Sequence, residues 1–189
     1  MNVLRGFIVV VDRLNYGVGR VIMYGIFAMM AVLLWSTITK FSDQPSLWTL
    51  EVAQFAMITY FFLGGPYAMQ MGSHVRMDLF YENWSLRKKA AVDAIMVFCL
   101  LFYLGVLLWG GLSSTAYALG YFGSNPIGFF ADLATGEKGL GTLERSRTIW
   151  RPYLWPIKSI MCLGIFLMLL QALSELAKDI LRMRGEAVA

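Results

Sequence analysis

Apolar residues gather into four long runs, 21–39, 47–71, 90–112 and 153–173, divided by short polar gaps. A helix rises ~1.5 Å per residue, so about 20 residues cross ~30 Å of hydrocarbon. Every run meets that length closely or exceeds it. A soluble chain of 189 residues has no interior that could hide four such helices. The pattern predicts an all-α integral membrane protein with four transmembrane helices over those runs, forming one membrane domain across 1–189. The first run is too long for the apolar core of a cleaved signal peptide, begins after residue 20 and is followed by no small-residue cleavage site.

Residues 1–20 carry a second pattern. Leu4, Phe7, Ile8, Val11, Leu14 and Val18 recur at helical spacing, with Arg5, Asp12 and Arg13 opposite and Val9 intruding on the polar side. That spacing predicts an amphipathic helix lying along the inner membrane interface, the alternative being a frayed extension of the first span. Residues 113–152 form the only sizeable polar segment. Its first part is rich in aromatic residues, which predicts docking on the outer interface, and Asn125-Pro126 and the glycines of 136–141 mark turns.

Charge then orients the chain. The N-terminal stretch, the gap after the second run and the tail carry ten Lys and Arg: Arg5, Arg13, Arg20, Arg76, Arg87, Lys88, Lys89, Lys178, Arg182 and Arg184. The opposite side carries five, Lys40, Lys138, Arg145, Arg147 and Arg151, diluted by Asp43, Asp132, Glu137 and Glu144. The positive-inside rule places both termini in the cytoplasm and 113–152 in the periplasm. Trp35, Trp48, Trp109, Trp150 and Trp155 fall at the outer ends of the runs, as interfacial anchors do. The pI near 9.1 thus reflects membrane orientation and not nucleic-acid binding.

Few residues suggest chemistry. Glu51 lies about a turn inside the second run, with Gln54 three residues on. An intramembrane acid points to ion or proton handling, whereas a helix N-terminus near water favours a carboxylate for structural reasons or for contact with a partner. Gly64-Gly65-Pro66 predicts a kink or local unwinding, as in packing kinks and in the broken helices of transporter sites. His74-x-Arg76-x-Asp78 follows; a single histidine excludes bis-histidine haem ligation within the chain, and Arg76 suits lipid phosphate or a helix C-terminus with Asp78 as its partner. Asp93 and Lys158 each lie within a turn of a run end and can reach the interface. Cys99 and Cys162, mid-run, read as small apolar fillers. No nucleophile–base set, phosphate loop, cofactor motif or metal spacing is present.

One string carries a resemblance: Pro45, Ser46, Trp48 and Glu51, then Phe62-Leu63-Gly64, Tyr67-Ala68 and Gly72-Ser73-His74-Val75-Arg76-Met77-Asp78. It resembles the small membrane subunit of tripartite ATP-independent periplasmic (TRAP) transporters, the DctQ-like family, at residue level over about 45–78 and in layout over nearly the whole chain. Two departures stand out: Leu50-Glu51 replaces the Glu-Glu of many members, and the 113–152 segment is long. The resemblance implies a bacterial inner-membrane protein that braces a large membrane subunit. That larger subunit would hold the substrate and sodium sites and move as an elevator. A periplasmic binding protein would deliver the solute, often an organic acid. Trp48, Glu51, Gln54, His74, Arg76 and Asp78 are then expected to contact partner subunits or lipid, with no cofactor in this chain. The membrane anchor of a redox or respiratory complex is the competing reading, and the small subunit of tricarboxylate tripartite transporters is a near relative in function.

Overall fold

The computed structural model describes residues 2–71, 86–137 and 139–183. They form six helices: α1 (Asn2–Ile22), α2 (Gly25–Phe41), α3 (Thr49–Gln70), α4 (Leu86–Ala118), α5 (Pro126–Thr135) and α6 (Trp155–Met183). Among the described residues the only β-type pairing is an isolated antiparallel bridge between Arg145 and Tyr153.

Helix runs almost without a break from Leu4 to Phe41, 38 residues, amphipathic in its first half and apolar in its second, or about 57 Å of helix against ~30 Å of hydrocarbon. One crossing cannot hold it. The chain breaks it at Met23-Tyr24, where the Tyr24 amide turns back to the Val21 carbonyl at 3.2 Å, and α2 starts afresh at Gly25. Val21 and Ile22 therefore belong to α1 and not to the span expected from residue 21.

Two further stretches, Ile95–Ala118 of α4 and Trp155–Lys178 of α6, are long and apolar enough to cross a membrane, giving three such stretches among the described residues. Helix α3 has the length, 22 residues, but Thr49, Glu51, Gln54, Thr59 and the Gly64-Gly65-Pro66 step dilute its hydropathy. Its setting compensates for that polarity, because it packs among α1, α2 and α6.

Helix α6 is the centre of the bundle. Leu104 of α4 and Ile165 and Ala172 of α6 form a buried cluster flanked by Phe62 and Met69 of α3. Helices α3 and α6 run in the same direction, with Gly164 against Phe62 and Gly65 against Met168. Helix α4 runs opposite, bringing Thr115 to Cys162. Helix α2 returns along α3, and its end is tied there by hydroxyls: Thr49 donates to Ser36 at 3.1 Å, and Ser46 lies 2.9 Å from Thr49. The ends of α2 and α4 and the starts of α3 and α6 thus share one end of the bundle, where Trp35, Trp48 and Trp155 are all partly exposed.

A Cβ at Gly164 would lie 2.6 Å from the Phe62 carbonyl oxygen, whereas one at Gly65 would meet only the terminal methyl of Met168. Backbone cannot yield as a flexible side chain can. Overpacking of this kind costs about 1–3 kcal/mol, so Gly164→Ala should lower the thermal unfolding midpoint in detergent clearly more than Gly65→Ala. Equal midpoints for the two variants would contradict this close approach.

Candidate functional site

The densest polar cluster lies where α1 crosses α3 and α6. Helix α1 has three sides. Ile8, Val11, Asn15 and Gly19 are buried; Arg5, Arg13 and Arg20 lie along one exposed flank, and Phe7, Val10 and Leu14 along the other. Ile8 packs with Ala177 and Leu181 of α6, and Tyr16 meets Tyr67 of α3 with ring centroids 5.8 Å apart. The helix is amphipathic as its sequence predicts, but Asp12 does not face outward. It sits at the edge of the buried side.

There the Asp12 carboxylate accepts from Gln171 Nε2 at 3.1 Å, from Ser174 Oγ at 3.1 Å and from Lys178 Nζ at 2.7 Å. Lys178 also reaches Glu175 at 2.8 Å, and Gln171 Nε2 donates to the same Glu175 oxygen at 3.0 Å. Two carboxylates thus fix the Gln171 amide with its nitrogen toward them. Its oxygen is left to accept from Asn15 Nδ2 at 2.7 Å. Gln70 closes the cluster from α3, donating to the Asp12 carbonyl at 3.2 Å. Gln171, Ser174 and Asn15 are almost fully buried. Buried polar groups of this kind are costly unless paired; the Asp12 carboxylate and the Gln171 amide are paired in holding α1 against α6, while Asn15 Oδ1 and Gln70 Oε1 are buried without a hydrogen-bond partner among the described residues.

These residues were not anticipated as a site. Their signal was present: Gln171, Ser174, Glu175 and Lys178 recur at i, i+3, i+4 and i+7, one polar stripe on an apolar helix. The apolar run ends at 173 because of that stripe, yet α6 continues to Met183.

At the other end, Trp48 sits at the N-cap of α3 without a side-chain capping bond and is partly exposed. Glu51 is buried, only 4% exposed, and neither carboxylate oxygen has a hydrogen-bond partner among the described residues. Glu51 lies in the first turn of α3, where the helix N-terminus favours a carboxylate. Its helix face also carries Phe62 and Gly65, the residues that meet α6. Gln54, three residues on, is exposed, so the two do not form a pair. Helix α3 runs unbroken through Gly64-Gly65-Pro66, with Pro66 buried, so the proline causes no unwinding. His74, Arg76 and Asp78 lie outside the described residues, as does the side chain of Asp93.

The 113–152 segment is a structured cap. Asn125 accepts from the Gly128 amide at 3.1 Å to start α5, and Gly136 ends it in a left-handed conformation. Phe129 is buried with Ala116 and Leu119 and stacks on Tyr121 at 4.7 Å. Lys158 does not reach outward but pairs with Glu144 at 2.6 Å and donates to the Ser114 carbonyl at 3.3 Å, fastening the cap to α4 and α6. Cys162 is buried beside Thr115, Cys99 is exposed on α4, so only the former fills interior space, and both are free thiols. Among the described residues no group of three or more His, Cys, Asp or Glu is placed to hold a metal ion.

A helical bundle with membrane-length apolar helices, tied together by polar clusters, is the architecture of a membrane-embedded protein. The chain belongs to the DctQ component family of the tripartite ATP-independent periplasmic transporters, whose family model matches residues 29–182. It is a membrane component of a transporter and not a member of an enzyme family. A search of curated proteins gives no match.

Proposed function

We propose that this chain braces the large membrane subunit of a TRAP transporter during sodium-driven uptake of an organic acid delivered by a periplasmic binding protein. The DctQ family works with both partners in the tripartite system, which supports the assembly. The bracing role rests on the distribution of surface. Helix α2 has no buried residue, and α4 turns Phe98, Phe102, Tyr103 and Val106 outward. Those apolar faces suit lipid and a second membrane protein, while Asp12, Asn15, Gln171 and Ser174 tie helices from within.

In this reading α2, α3, α4 and α6 all cross the bacterial inner membrane, with both termini cytoplasmic. The ten-to-five bias of Lys and Arg supports that orientation. Trp48 and Gln54 stand exposed for partner or lipid contact, and His74, Arg76 and Asp78 are assigned the same role at the inner rim. Substrate and sodium are held by the large subunit.

Glu51 tests the division of labour. Glu51→Gln keeps the side chain's size and removes its charge, so the assembled transporter should retain the wild-type dependence of uptake on sodium concentration. A marked shift in that dependence, in a complex that still purifies whole, would make this subunit part of the ion path.

A further inference from the structure

Outside the helices, residues 145–153 form a small hairpin. Arg145 bridges Tyr153, lies 4.4 Å over its ring and donates to its hydroxyl. The Ser146 amide donates to the Pro152 carbonyl at 2.9 Å. The base is anchored on both sides, since the Glu144 amide donates to the Ala118 carbonyl at 3.0 Å and the Leu154 amide to the Glu144 carbonyl at 3.2 Å. Glu144 also holds Lys158, inside the first turn of α6. Arg151 closes the loop at φ +50°, a left-handed conformation that non-glycine residues seldom adopt. What this rigid frame displays is Arg147, Ile149 and Trp150, with Ile149 78% and Trp150 46% exposed.

Reach decides what can cover them. Five residues lie beyond the Ser146–Pro152 pair, so the tip extends at most three residues out, or about 10 Å. The base sits where α6 enters the apolar layer, and the headgroup region beyond the hydrocarbon is ~5–8 Å thick on each side. The tip therefore stays within or just above the headgroups, where a folded soluble protein would have to press into the bilayer to reach it. A bulky aliphatic residue beside Trp, flanked by two Arg, is the composition that suits that layer: apolar side chains submerge, Trp takes the interface and guanidinium groups meet phosphate.

We propose that the 145–153 hairpin is a phospholipid-binding anchor, with Ile149 and Trp150 inserted into the outer-interface region and Arg147 and Arg151 on lipid phosphates. It rests on α6 being a membrane span. The test uses the full chain in vesicles of phosphatidylethanolamine and phosphatidylglycerol, with an environment-sensitive fluorophore on Ile149→Cys in a Cys99→Ala background. Lipids spin-labelled near the headgroup should quench it at least threefold more than lipids labelled deep in the chain, and Arg147→Glu with Arg151→Glu should cut that quenching at least twofold. Water-like emission, fully quenched by aqueous iodide, would overturn the proposal. So would a tip that becomes shielded only when a periplasmic binding protein is added, which would make it a protein-docking surface. The same fluorophore on native Cys99, exposed on α4, separates the two failures: if lipid labels leave that site unquenched as well, the membrane placement of the bundle is at fault and not the anchor.

Discussion

Asp12→Ala should release α1 from the bundle. The substitution removes the acceptor for Gln171, Ser174 and Lys178 at once, while the Gln70 bond to the Asp12 backbone survives. Lys178 keeps Glu175, so its charge is not orphaned, but Ser174 is left fully buried without an acceptor. A buried group left without its hydrogen-bond partner costs about 1–3 kcal/mol, and three donors lose the Asp12 carboxylate at once. The expected loss is therefore near the upper end, about 3 kcal/mol, a shift of roughly 150-fold in the docking equilibrium. Limited proteolysis should then cut at the Met23-Tyr24 break, and the unfolding midpoint should fall. Asp12→Asn keeps an acceptor for Ser174 and should fall between wild type and Asp12→Ala; Arg13→Ala, on the exposed flank, should change neither readout. If Asp12→Ala resists proteolysis like wild type, the cluster does not hold α1.

How far the sequence foretells this architecture depends on the element. Length and hydropathy mark α2, α4 and α6 because hydrocarbon demands uninterrupted apolar helix. They separate the amphipathic 1–20 from the run at 21–39, but the break falls a few residues later, at Met23-Tyr24, because Val21 and Ile22 are apolar and hydropathy alone assigns them to the span. Charge is read as a boundary, which hid the last turns of α6: Gln171, Ser174, Glu175 and Lys178 look like the start of a polar tail until Asp12 and Asn15 are seen opposite them. Asp12 itself sits at the border of the apolar and polar faces of α1, and only its partners decide which way it turns. Gly164 is a generic small residue in sequence; its need for a bare Cα comes from the Phe62 carbonyl of another helix. Glu51 stands out in sequence as an acid in an apolar run, but its burial depends on how α3 packs, which local pattern does not determine.

The second large effect concerns assembly. In the proposed bracing role this chain would be the fixed neighbour of the permease, meeting it through the largely apolar outer faces of α2 and α4. Loss of the chain should therefore remove function and not merely reduce affinity for the solute. Asp12→Ala should weaken uptake in proportion to the fraction of complex that loses α1, without changing its sodium dependence.

The most direct measurement is sodium-driven solute uptake into vesicles holding the large subunit and its binding protein, with and without this chain, at matched membrane levels of the large subunit. Uptake should appear only when both membrane subunits are present and co-isolate as one complex. Full sodium-driven uptake by the large subunit and binding protein alone would contradict the bracing role.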